Sequence, residues 1–163
     1  MSGVTTGTTA GESAGETEVS GALVGVSEVE IAAPVELVWE VLTAFHGWPS
    51  WNSDVKSMSV DGDLVVGSVF RWKSGPGTIT STIRHVDPPR GIAWSGKTMG
   101  IRAYHVWRLE PRDGGAFVRT EESFDGLLAR LFRGPLRRAL DEGLQSGLDD
   151  LKAEAEARAA ANG

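Results

Sequence analysis

Two ionisable side chains near the middle of this 163-residue chain, His105 and Glu122, are placed to act together. They fall on alternating segments, Arg102 to Glu110 and Ala116 to Phe124, separated by the turn sequence Asp113-Gly114-Gly115. Taking Asp113-Gly114 as a two-residue hairpin loop pairs Arg112 with Gly115. That register sets Leu109 opposite Val118, Trp107 opposite Thr120 and His105 opposite Glu122. Alternation gives the same grouping independently: with Leu109 and Val118 inward, Trp107 and His105 follow on one strand, and Thr120, Glu122 and Phe124 on the other. A carboxylate beside an imidazole is expected to favour the imidazolium and to fix which nitrogen carries the proton. Such a pair could anchor a ligand carbonyl or hydroxyl, or move a proton as a catalytic couple. It could equally be a mutually satisfied buried pair that only specifies strand register.

Around this pair the same inward face gathers aromatic and small polar side chains. Phe70 and Trp72 share it by alternation, as do Ile79, Ser81 and Ile83, with Trp94 and Trp107 on the following strands. Indoles are costly to expose, and one curved sheet cannot fill the space that such rings enclose, so a lined cavity is expected. Phe70, Trp72, Ser81, Ile83, Trp94, His105, Trp107, Thr120 and Glu122 are therefore the candidate ligand-binding residues. An ordinary packed core would show the same stripe. Trp48 and Trp51 flank Pro49 and are expected over the cavity mouth. Arg71 and Lys73 alternate with the inward pair and should face solvent, which is also the usual fate of Arg84, His85, Arg102 and Arg108. The cluster Arg130, Arg133, Arg137 and Arg138, with Asp141 and Glu142 within a turn, reads as a solvated helix face. No HExxH, phosphate-binding glycine loop, dinucleotide fingerprint or nucleophile elbow occurs, so neither a metal nor a cofactor is expected.

The elements that position these groups follow from periodicity. Leu23 to Ile31 reads as a first strand. Pro34 then opens a short helix in which Val38, Leu42 and Phe45 form one buried stripe, and Ser50-Trp51 continue into a second helical turn. Val55 to Val60, Ser68 to Lys73, Thr78 to Val86, Gly91 to Lys97 and the two segments above complete an antiparallel run punctuated by Gly, Pro and Asp turns. After a short lid-like segment over Leu127 to Phe132, Leu136, Leu140, Leu144, Leu148, Leu151 and Ala155 mark a long closing helix. An α+β domain is expected over residues 21–160, a sheet curled around that helix.

Composition bounds the function. A net charge of −6 and no basic tract disfavour nucleic acid as a partner, and the absence of cysteine excludes disulfides and thiolate chemistry. No run reaches a membrane span and the N-terminus lacks a signal core, so a cytoplasmic location is expected, as a monomer or homodimer. Residues 1–20, rich in Gly, Ser, Thr and Glu, read as a disordered tail.

From Val24 to Ala155 the chain resembles the START-like helix-grip superfamily called SRPBCC, and within it the bacterial polyketide cyclase/dehydrase-like group. The likeness is carried by Ala32-Ala33-Pro34 with Val38-Trp39, Phe45 to Trp51 followed by Asn52, Gly67 through Phe70-Arg71-Trp72, Asp87-Pro88-Pro89-Arg90, and the closing helix. It implies a seven-stranded antiparallel sheet gripping the C-terminal helix around a hydrophobic cavity, with two short helices between the first two strands. For function it implies binding of a small hydrophobic molecule, aromatic or lipid-like. The alternative is a cyclase, aromatase or dehydratase acting on a bound poly-keto chain, with His105, Glu122 and Ser81 as contributors and Tyr104 pointing away.

Overall fold

Alternation of apolar side chains over Leu23–Ile31 builds the first strand, β1, and Pro34 stops it and caps the helix α1, Val35–Thr43, whose Val35, Val38, Val41 and Leu42 are buried. A 3-10 turn over Phe45–Gly47 and the short helix α2, Trp48–Trp51, carry the chain across to the far edge of the sheet. There β2 (Ser57–Val60), β3 (Val69–Ser74), β4 (Gly77–Asp87), β5 (Gly91–Thr98), β6 (Ile101–Arg112) and β7 (Gly115–Asp125) follow as a meander. The sheet order is β1-β7-β6-β5-β4-β3-β2, antiparallel throughout. The helix-grip α+β architecture is thus realised in a computed structural model that describes residues 18–163. Of the tail expected over residues 1–20, residues 1–17 lie outside the described part.

The β6–β7 register is the one set by the two-residue loop, with Leu109 opposite Val118, Trp107 opposite Thr120 and His105 opposite Glu122. A bulge between Ile83 and His85 on β4 shifts the alternation, so that Ile83 and Val86, three residues apart, both pack into the core. Bulges bend a strand and increase its local twist.

After α3 (Leu127–Leu131), the 29-residue helix α4, Arg133–Ala161, lies in the concavity along β1. Gly25 permits close approach: a side chain there would meet Leu140 and Leu144 at 2.9 Å. As an edge strand, β1 leaves backbone groups unpaired, and α4 covers them. Arg137 donates to Val24 O at 2.6 Å, Lys152 to Glu30 O at 2.6 Å, and Ala32 N–H donates to Glu156 at 2.8 Å. Asp150 of α4 accepts from both the backbone N–H and the hydroxyl of Ser53 at 2.7 Å, tying down the segment after α2.

The main core lies beneath the C-terminal half of α4, where Leu148, Leu151 and Ala155 meet α1, Phe45, Trp48, Phe70, Trp94 and the β6–β7 face. Phe45 is its aromatic hub, with ring centroids 4.7 Å from Phe70, 4.9 Å from Trp48 and 5.7 Å from Trp94. A second, small cluster of Leu23, Leu140 and Leu144 sits beneath the N-terminal half.

Candidate functional site

Beneath the N-terminal half of α4, away from its contact with β1, the helix and the concave face of the sheet leave a cavity of about 280 Å³. One wall is the concave sheet: Trp72, Ile79, Ser81, Trp94, Ala103, His105, Trp107, Glu122 and Phe124. Trp48 and Val55 close one end, and Thr98 and Ile101 of the β5–β6 hairpin border the other. The remaining wall is α4, through Leu136, Ala139, Leu140, Gly143, Leu144 and Gly147. A Cβ placed on Gly143 or Gly147 would meet nothing within 4 Å; Gly147 is buried and leaves room inside, while Gly143 is exposed at the cavity's border. Two mid-helix glycines cost about 1 kcal/mol each relative to alanine, and at Gly147 that cost clears space.

Most candidate ligand residues come together. Trp72, Ser81, Trp94, His105, Trp107 and Glu122 all line the cavity, and Trp72 Nε1 donates to Ser81 Oγ at 3.1 Å, which satisfies that indole within the wall. Phe70, Ile83 and Thr120 share the same face but are wholly buried behind it, as core. Trp48 is buried and does close one end of the cavity, with its Nε1 donating to Leu42 O at 2.8 Å; Trp51 packs edge-on against it. The small-residue positions Ala139, Gly143 and Gly147 went unread in the sequence. Their signal was present, a repeat of small residues every four positions on the flank of the leucine stripe.

At the cavity's polar end His105 is stacked against Trp107, with ring centroids 5.2 Å apart, and tilted against Trp94 at 4.9 Å. Its Nε2 lies 2.7 Å from Thr120 Oγ1, which is 3.3 Å from Val106 O. Since a carbonyl can only accept, the threonine hydroxyl donates to Val106 and must accept from Nε2–H. This assigns the tautomer: Nδ1 carries a lone pair. Nδ1 lies 3.6 Å from Glu122 Oε1, just beyond hydrogen-bond length, and has no partner among the described residues; nor has Trp107 Nε1.

The cross-strand contact is where the register put it, but its charge state is the reverse of the sequence expectation. Burial lowers the His105 pKa to about 3 and raises that of Glu122 to about 8. Stripping water from both groups outweighs their mutual attraction, so at neutral pH the pair is a neutral imidazole facing a protonated carboxylic acid, not an ion pair. The cavity end is thus formed by an uncharged carboxylic acid, imidazole and indole, of which His105 Nδ1 and Trp107 Nε1 are buried within the wall. No group of His, Asp and Glu among the described residues could hold a metal ion, and no described helix is long and apolar enough to cross a membrane.

A model of the family described as polyketide cyclase/dehydrase and lipid transport matches residues 24–156. No curated protein matches the sequence. Among solved structures, the hypothetical protein jhp0584 from Helicobacter pylori superposes with a TM-score of 0.74 at 19% identity, covering 83% of this chain and 89% of that one. A START superfamily protein from Mycobacterium smegmatis gives 0.71 at 16% identity, covering 82% and 97%. The Zhui aromatase/cyclase from Streptomyces sp. R1128 gives 0.72 at 23% identity, covering 83% and 94%. At these identities the likeness is one of fold.

Proposed function

The chain belongs to the polyketide cyclase/dehydrase and lipid transport family, and from that premise we propose that it binds a neutral hydrophobic ring system carrying an oxygen at its inner end. One observation carries this reading: His105 Nδ1 and Trp107 Nε1 are buried without partners among the described residues, on two side chains that line a largely apolar cavity. Buried polar groups left unpaired cost about 1–3 kcal/mol each, and a ligand hydroxyl that reaches them would recover that cost, donating to His105 Nδ1 and accepting from Trp107 Nε1–H, while a ligand carbonyl would pair with the indole alone. Rings would pack against Trp72, Trp94 and Ile79, and the Gly147 gap would admit their edges. A charge at the ligand's inner end is disfavoured, because His105, Trp107 and Glu122 are uncharged there; the charged lining residues Asp54 and Lys97 belong to other parts of the wall. At about 280 Å³ the space suits two or three fused rings. The test is the fluorescence of 6-propionyl-2-(dimethylamino)naphthalene, a dye with one carbonyl whose emission shifts to the blue out of water. Saturable blue-shifted binding that weakens about tenfold or more in Trp107→Phe is the expected result; no saturable shift discards the reading.

A second reading, dehydration of a bound β-hydroxy ketone, is favoured by the lone pair of Nδ1 lying 3.6 Å from a carboxyl whose pKa is raised to about 8. In that reaction Nδ1 would take the proton on the carbon between the two oxygen functions while the Glu122 O–H protonates the departing hydroxyl. The carbon–oxygen bond breaks, a carbon–carbon double bond forms and water leaves. The proton on Nδ1 then returns to the Glu122 carboxylate, restoring both groups. 4-Hydroxy-4-(2-naphthyl)butan-2-one would report this by the ultraviolet absorbance of its enone product. Formation no faster than in buffer, or undiminished in Glu122→Gln, leaves binding alone.

A further inference from the structure

The end of the molecule beyond the cavity's hairpin border departs from the rest in both polarity and charge. Leu127, Leu131 and Phe132 of the α3 segment are 71%, 66% and 55% exposed, and Met99 at the tip of the β5–β6 hairpin is 66% exposed. The two elements are neighbours: a side chain on Gly126, at φ 117°, would strike Gly100 O at 2.7 Å, and one on Gly100 would meet Leu128 at 3.6 Å. Thr98 and Ile101, flanking the hairpin tip, and Leu136 and Ala139, following α3, line the cavity itself. Between Asp125 and Glu142 the chain carries four arginines against three carboxylates, a locally positive stretch in a protein whose net charge is −6. Arg130 and Arg137 lie 3.5 Å and 3.6 Å from Asp125 and Asp141, while Arg133 and Arg138 have no carboxylate partner among the described residues.

We propose that this end docks on an anionic phospholipid surface, with Met99, Leu127, Leu131 and Phe132 in the headgroup region and Arg133 and Arg138 on lipid phosphates. Separate protruding apolar side chains ringed by guanidinium groups fit a fluid interface, which needs no matched shape. A folded protein partner would require a groove or flat patch to bury them. The acidic remainder of the molecule orients this end toward the negative surface. Resting on the cavity reading above, such docking would let an apolar ligand pass between bilayer and cavity without crossing water.

The test is cosedimentation of the full chain with vesicles of phosphatidylcholine, with and without phosphatidylserine. Binding to the anionic vesicles, weaker on phosphatidylcholine alone and reduced about tenfold or more by Leu131→Glu/Phe132→Glu and by Arg133→Glu/Arg138→Glu, is expected. All four positions are exposed, and an unchanged melting temperature verifies that the variants fold. No sedimentation with either vesicle overturns the proposal. So does binding that survives Leu131→Glu/Phe132→Glu and is lost only with the arginines, since simple charge attraction, such as an acidic protein would also exploit, then suffices. Dye binding measured without vesicles reports the cavity separately, so either idea can fail alone.

Discussion

An imidazole held between Trp94 and Trp107, whose one side-chain hydrogen bond among the described residues is to a buried threonine, is denied the water that would stabilise its charge, and Glu122 faces the same loss. The two groups shape the pH dependence of stability in opposite senses. Folded Glu122 keeps its proton to about pH 8, against an ordinary value of 4.5. The folded state therefore holds the extra proton in that window, and stability falls as pH rises through it. Folded His105 stays neutral down to about pH 3, against 6.5. There the unfolded state holds the extra proton, and stability falls as pH drops. From 4.5 to 6.5 the slopes oppose, so a plateau is expected with a decline on each side. Urea midpoints measured across pH should show Glu122→Gln losing the decline between 6.5 and 8; a variant curve parallel to the parent's would assign that limb to other groups. Thr120→Val removes the acceptor of Nε2–H and should cost about 1–3 kcal/mol in the same measurement.

At the scale of elements, α4 sacrifices helix propensity where it faces the cavity. Gly147 is buried yet a Cβ there would touch nothing, so Gly147→Ala should raise stability by up to about 1 kcal/mol while trimming the cavity slightly. Gly147→Leu should leave the fold intact and abolish dye binding by filling the space; full retained affinity would mean that the ligand sits elsewhere. Why some elements were legible beforehand and this feature was not follows from where the information lies. A two-residue loop fixes the pairing of its strands, and one-residue slips would turn Leu109 and Val118 outward, so the sequence alone specified the His105–Glu122 juxtaposition. The bulge after Ile83 leaves no such mark, because the residues around it, Arg84 and His85, suit either phase. Phe70, Ile83 and Thr120 could be assigned a face but not a depth, since only the third dimension tells a cavity wall from the core behind it. The charge state of the pair was hidden for the same reason: desolvation is set by Trp94, Trp107 and α4 together, whereas the local pairing argued for an ion pair.

Across the whole molecule, the packing of α4 falls into two unequal parts. Its C-terminal half is locked into the main core through Leu148, Leu151 and Ala155, and Lys152 and Glu156 fasten it to the β1 backbone. The N-terminal half has the smaller cluster of Leu23, Leu140 and Leu144, with Phe124 and Leu136 at its border, and side-chain bonds from Arg137 to Val24 O, from Ser27 to Gln145 and between Ser53 and Ser146. It also forms the wall a ligand would have to pass, beside the exposed α3. Local opening follows sparse apolar contact, so the two halves of one continuous helix should open with different free energies. Hydrogen exchange followed by mass spectrometry should find amides between Leu136 and Leu144 exchanging about tenfold or more faster than those between Leu148 and Ala155. The naphthalene dye should slow the first group and leave the second unchanged, because only the first lines the cavity without reaching the main core. Uniform exchange along the helix, or protection by dye that spreads equally to both halves, would mean that α4 moves as one rigid body and that entry uses another path.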